Sequence, residues 1–157
     1  MNESIIIYTD GSCDSNPGGN GGYAAIIFKD HKPIKISGYE PNTTNQRMEL
    51  MAVITALEYF TDKQSILLFT VSAYVCNGYN KKWYENWKVN GWKNSKGEDV
   101  ANKELWERLI RAVEFHDVKM TYVKGHSDNV FNNECDIMAK DIILFYKKVD
   151  KLIERKI

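Results

Sequence analysis

Three carboxylates in this chain stand in settings that suit metal-assisted phosphodiester chemistry. Asp10 follows Tyr8-Thr9 and precedes Gly11-Ser12, Glu49 follows Arg47-Met48, and Asp136 follows Asn133-Glu134-Cys135. Hydrolysis of a phosphodiester by paired Mg²⁺ ions needs several carboxylates aimed at metals about 4 Å apart. Mg²⁺ takes oxygen ligands and lets water fill its remaining positions. Asp10 ends a β-branched, aromatic run that reads as a central strand, and strand ends are where an open α/β sheet presents its ligand site. Glu49 and Asp136 are expected in the opening turns of two helices, which can aim both at a common point. Each residue also has a plainer explanation. An acidic group in a first helical turn complements the helix dipole, and Asp beside Gly-Ser is commonly a turn residue. A metal site requires all three together, with carboxyl groups on the order of 4–8 Å apart.

The elements that must position them follow from periodicity. Residues 4–9 read as a buried strand ending in the Gly/Asn/Pro cluster 11–22. Residues 23–28 and 34–39 give two more strands around the turn Lys29-Asp30-His31-Lys32-Pro33, an antiparallel meander. Pro41-Asn42-Thr43-Thr44-Asn45 offers several helix caps, and Leu50, Val53, Ile54 and Leu57 then recur at helical spacing to about residue 60. A fourth strand is expected at 66–70, with Ser72 capping a short helix after it. An amphipathic helix at 103–115, a strand at 118–123 and a last helix from about 132 complete the pattern. Three consecutive strands and then helix, strand, helix, strand, helix imply an α/β fold: a five-stranded mixed sheet, strands 1–3 antiparallel, with helices on both faces.

At 157 residues the chain is expected to form a single domain spanning 1–157. Its 43% hydrophobic and 27% charged residues are ordinary for a soluble protein. Cys13, Cys76 and Cys135 match neither a disulfide framework nor a CxxC motif, which points to a reducing compartment. The apolar run Ile5-Ile6-Ile7-Tyr8 is too short for a signal or a membrane span. The expectation is therefore a cytoplasmic monomer with no membrane partner. The zero net charge conceals an asymmetry: residues 1–78 carry −3 and residues 79–157 carry +3. Neither value by itself demands a polyanionic partner.

Motifs along nearly the whole chain, in order, resemble the type 1 ribonuclease H family. They include Thr9-Asp10-Gly11-Ser12, Asn16-Pro17-Gly18, Gly21-Gly22-Tyr23, Thr43-Thr44-Asn45 and Arg47-Met48-Glu49-Leu50-Met51-Ala52. Ser72, Tyr74 and Val75 continue the likeness, followed by Trp83, Asn86-Trp87, Gly91-Trp92-Lys93, Val123-Lys124-Gly125-His126 and Cys135-Asp136. The resemblance implies a ribonuclease H-like fold and endonucleolytic cleavage of the RNA strand of an RNA–DNA hybrid, with Mg²⁺ or Mn²⁺. It implies Asp10 as the ligand shared by two metals, Glu49 as a second ligand, and Asp136 as a ligand beside the attacking water. It implies a proton-shuttling or product-release role for His126, which by itself reads as an exposed loop residue.

The family's fourth carboxylate belongs at position 71, where this chain has valine. Val71 has no lone pair and no charge, and as a β-branched residue it suits a strand end. Thr70 and Ser72 are too short or face the wrong way to replace it. Losing one anion relieves repulsion in the metal-free site, the usual direction of a stability–activity trade-off, while catalysis should fall steeply. Ala73, Asn42 and Gln46 also depart from the family pattern, where glutamine, arginine and asparagine are common.

Residues 79–96 interleave Lys81, Lys82, Lys88, Lys93 and Lys96 with Tyr79, Trp83, Tyr84, Trp87 and Trp92. Lysines can neutralise phosphates while flat rings pack on sugars or bases, although Trp83 and Trp87 at i and i+4 equally suit a packing pair. The resemblance makes this segment a basic protrusion gripping the DNA strand, through Trp83, Asn86, Trp87, Lys88 and Trp92. Reading of the 2′-hydroxyl, which separates RNA from DNA, falls to Asn16, Asn45 and the backbone near Cys13, with Thr44 as a further groove or phosphate contact. The late basic residues Lys147, Lys148, Lys151, Arg155 and Lys156 read as a solvated helix face. Two rival readings remain: a catalytically silent hybrid-binding protein of the same fold, which Val71 favours, and another nuclease of this fold such as an integrase or junction resolvase. The Trp-rich segment and the Asn-Pro-Gly turn argue against the latter.

Overall fold

Backbone pairing in the computed structural model, which describes residues 4–124 and 129–155, begins with an antiparallel meander. β1 (Ile5–Cys13) pairs with β2 (Gly19–Lys29), and β2 pairs with β3 (Lys32–Thr43). Asp30 and His31 join β2 to β3 with φ of 54° and 65°. Two successive positive φ values make a two-residue turn whose twist matches that of the strands it links. β4 (Ser65–Thr70) lies parallel to β1, and β5 (Asp117–Tyr122) parallel to β4. The sheet order is β3-β2-β1-β4-β5, the five-stranded mixed sheet expected.

Among the described residues there are five helices, α1 (Asn45–Glu58), α2 (Ala73–Asn80), α3 (Trp83–Asn90), α4 (Lys103–Phe115) and α5 (Val130–Arg155), and all but α3 pack on the sheet. Alternation along the strands assigns the faces. Ile5 and Ile7 of β1 and Ile27 of β2 pack with Leu50, Ile54 and Leu57 of α1 and Trp106 and Leu109 of α4. Ala24 and Ile26, on the other face, meet Cys135 and Ala139 of α5. Removal of this apolar surface from water is the main force holding both layers to the sheet. Among the described residues no helix is long and apolar enough to cross a membrane.

Two expectations are corrected. The Gly/Asn/Pro cluster after Asp10 is largely strand: β1 continues through Cys13, and Gly21 and Gly22 pair with Cys13 and Ser12. These glycines answer crowding more than turning. A Cβ on Gly22 would stand 2.1 Å from the Ala139 carbonyl oxygen of α5. β3 is also longer than its apolar core suggests and runs to Thr43.

Candidate active site

The site begins where a parallel strand pair comes apart. Thr9 of β1 pairs with Thr70 of β4, the last rung of their ladder. Beyond it β1 keeps pairing with β2, Asp10 opposite Ala24, while β4 ends and Ser72 caps α2. Asp10 and Val71 are the residues that follow that rung. Asp10 is thus inside its strand, not at its end, but it stands where the parallel pairing ends and the sheet opens.

Glu49 arrives from the other side of the sheet. Thr44 caps α1 by accepting from the Arg47 N–H at 3.2 Å, and Glu49 then falls in the second turn, not the first. Its backbone lies against β1 because residue 11 is glycine: a Cβ there would stand 2.4 Å from the Glu49 nitrogen and the Met48 carbonyl carbon. The Ser72 hydroxyl donates to Glu49 Oε2 at 2.6 Å and accepts from the Val75 N–H at 3.1 Å. One hydroxyl thereby fixes both a helix cap and a candidate ligand.

Asp136 arrives on α5. The Asn129 side-chain oxygen accepts from the Phe131 and Asn132 N–H groups at 3.2 and 3.1 Å, capping the helix start. Asp136 lies in the second turn as well, so the dipole explanation fails for both acidic residues. Lys140, one turn on, pairs with Asp136 at 3.0 Å.

The electrostatics tie the three together. Burial, then the charge of Asp136 and that of Glu49, push the Asp10 carboxyl up to about 7, against the lowering effects of its 2.8 Å bond from the Gly11 N–H and of Lys140. Burial also raises Glu49, with the Ser72 bond opposing it. A strongly perturbed carboxyl with other acidic groups beside it, where a parallel ladder ends, makes a candidate functional site. Hard oxygen donors under mutual repulsion fit a divalent cation, whose charge would reverse the penalty. Among the described residues no three His, Cys, Asp or Glu side chains stand ready to hold a metal. Glu49 is turned to Ser72 and Asp136 to Lys140, and the Val71 side chain carries no oxygen.

His126 lies outside the described residues. Cys13, Asn16, Thr44 and Asn45 do come together: Asn16 Oδ1 accepts from the Asn45 N–H at 3.1 Å, and the Cys13 thiol points to the Thr43 and Ser15 carbonyls. In the basic segment, the Trp83–Trp87, Trp87–Trp92 and Trp87–Trp106 ring centroids are 6.3, 5.6 and 5.3 Å apart. The tryptophans are a packing cluster in which Trp106 is fully buried and Trp83, Trp87 and Trp92 are half-buried. Lys88 pairs with Glu114 at 2.5 Å and sits over the Tyr84 ring, while Asn86 is exposed. Gly11, Gly22 and Lys140, and the bond from Ser72 to Glu49, escape a reading by residue type, since each matters only through what packs against it.

The sequence profile of the RNase H family matches residues 2–143. The chain belongs to that family. A ribonuclease H of Acetivibrio thermocellus is 46% identical over 141 residues, 90% of this chain and 95% of the relative. One from Syntrophomonas wolfei is 48% identical over 142 residues, 90% and 97% of the two chains. Among solved structures, LC9-RNase H1, a type 1 RNase H with the type 2 active-site motif, superposes with a TM-score of 0.80. It is 26% identical, and the match covers 91% of this chain and 73% of that one. LC11-RNase H1 in complex with RNA/DNA hybrid gives 0.68 at 21% identity, covering 89% and 96%, a likeness of fold. The RNase H match stops at residue 143, so the last turns of α5, with Leu144, Phe145, Leu152 and Ile153 exposed, extend past it.

Proposed function

We propose that this RNase H chain binds RNA–DNA hybrids and hydrolyses the RNA strand with divalent metal held by Asp10, Glu49 and Asp136, at a rate depressed by Val71. The observation that supports this reading is the Thr9–Thr70 rung, the last of its ladder, after which Asp10 and Val71 are the next residues along the chain. When bound, Mg²⁺ or Mn²⁺ supplies Lewis-acid charge at the scissile phosphodiester. The protein's part is orientation. The Gly11 N–H fixes one oxygen of Asp10, and Ser72 fixes one oxygen of Glu49. Asp136 must exchange Lys140 for the metal, which costs little because the pair is solvent-exposed. His126 is assigned the movement of a proton at the leaving group or the release of product. Asn16, Thr44, Asn45 and the backbone near Cys13 face the RNA strand, and the segment around Trp83, Asn86, Trp87, Lys88 and Trp92 faces the DNA strand.

Val71 supports a second reading, a hybrid-binding protein without chemistry. Cleavage of a labelled hybrid in Mg²⁺ by this chain and by Val71→Asp separates the two. The variant should be faster by at least about 100-fold, the scale of one preorganised electrostatic group. Equal, measurable rates would mean that position 71 is not a ligand position. Absence of cleavage by both proteins, with hybrid binding intact, would leave the binding reading alone.

A further inference from the structure

Near the start of α5 lies a side chain that is neither a candidate ligand nor a nucleic-acid contact, yet joins the elements bearing the ligands. Asn132 is 2% exposed. Its Nδ2 donates to the Thr9 carbonyl at 3.1 Å and to the Phe69 carbonyl at 3.3 Å. Thr9 immediately precedes Asp10 on β1, and Phe69 stands two residues before Val71 on β4. The amide therefore bridges both strands just where their pairing ends. Asp136 follows Asn132 by four residues on the same helix, so the two share a face. One side chain links positions 10, 71 and 136 through β1, β4 and α5.

Packing alone does not account for an amide here. Asn132 Oδ1 is buried with no hydrogen-bond partner among the described residues, and a buried polar atom left unmatched is costly. An apolar residue of similar volume would avoid that cost. What it could not supply is the pair of donated bonds that fixes the height and rotation of α5 over the β1–β4 seam. We infer that Asn132 is a positioning residue of the metal site: it sets Asp136 against Asp10. This rests on the metal-binding reading proposed above.

Mn²⁺ titrated calorimetrically into the full chain tests it, with Asn132→Ala and Asp136→Asn made singly and together. Asn132→Ala should weaken Mn²⁺ binding by about tenfold, the usual cost of removing a group that orients a metal ligand. If Asn132 acts through Asp136, the double variant binds no more weakly than Asp136→Asn alone. Additive losses would give Asn132 a general structural role and overturn the inference, as would unchanged affinity in Asn132→Ala. Asn132→Ser keeps a shorter donor and guards against a failure to fold; its affinity should lie between those of the parent and Asn132→Ala. If neither variant folds, Asn132 serves the fold as a whole and the inference fails. Unchanged Mn²⁺ binding in Asp136→Asn would instead remove the metal-site reading, and this inference with it. A loss there but none in Asn132→Ala removes the positioning role alone.

Discussion

Thr9 and Thr70 face each other on the last rung of the β1–β4 ladder, and the residues after them have opposite chemistry. Asp10 brings a carboxylate into a low-dielectric corner; Val71 brings methyl groups. Four ionised carboxylates at such a corner would repel one another without metal. Valine removes one of them at no desolvation cost. On the reading proposed above, the folded chain would gain what the chemistry loses, a direction common at active sites.

Burial of Asp10, with the charges of Asp136 and Glu49 beside it, has a pH signature. The Asp10 carboxyl titrates at about 7 in the folded protein, against an ordinary value of 3.8. The folded state thus binds the proton more tightly than the unfolded chain, so the ionised group opposes folding. The penalty is absent below about pH 4, grows as pH rises through the interval between the two values, and is complete above about pH 7. At one pKa unit per 1.36 kcal/mol the full shift is on the order of 4 kcal/mol. Asp10→Asn should therefore raise the unfolding temperature at pH 8 in metal-free buffer and change it little at pH 4. Thermal unfolding at the two pH values decides; an equal effect at both would rule out charge as the cause.

Gly11 and Gly22 each admit one helix that bears a candidate ligand. Gly11→Ala sets a methyl against the Met48–Glu49 backbone, and Gly22→Ala sets one against the Ala139 carbonyl. Neither neighbour is a flexible side chain, so the helix must move. Overpacking of this kind costs about 1–3 kcal/mol. In a Val71→Asp background both changes should also slow hybrid cleavage, because Glu49 or Asp136 shifts with its helix. Urea unfolding and turnover on the same samples check this; full stability with full activity would show that the helices have room.

How much of this was legible in the residues depends on the kind of signal. α4 matches its expected span, Lys103–Phe115, because its apolar spacing is strong and local. The Ser72 cap and the turn at Asp30–His31 were readable for the same reason. The lengths of β1 and β2 were not, because glycines serving helix approach look like turn glycines. The first-turn placement of Glu49 failed because the cap at Thr44 starts α1 earlier than the apolar pattern does, whereas Asp136 does lie near the start of its helix. Lys140 carries no motif; its role appears only when α5 sets it one turn from Asp136.

Lys82, between α2 and α3, has φ of 57° and ψ of 41°, left-handed backbone that a side chain occupies at a cost. Its ion pair with Glu85 is long, 3.9 Å, and both groups are exposed. Lys82→Gly should stabilise the protein by about 1 kcal/mol, the steric penalty removed, less the extra freedom glycine gives the unfolded chain. A fall in unfolding temperature would show that Lys82 does more than bridge two helices.

The grip on nucleic acid turns on a competition at Lys88. This lysine is assigned to the DNA strand, yet its ammonium is 2.5 Å from Glu114 of α4, with both side chains about half exposed. An exposed pair of this kind is worth at most about 1 kcal/mol, so a phosphate can displace it. Glu114→Gln removes the competitor and should tighten hybrid binding a few-fold at low salt, within that limit. Lys88→Glu should weaken binding and reduce the log–log salt slope by about one unit, the value of one phosphate contact. Titration of labelled RNA–DNA hybrid and of duplex DNA in Ca²⁺, at several salt concentrations, measures both quantities. If neither variant changes affinity or slope, Lys88 belongs to the helix packing and the DNA strand lies elsewhere.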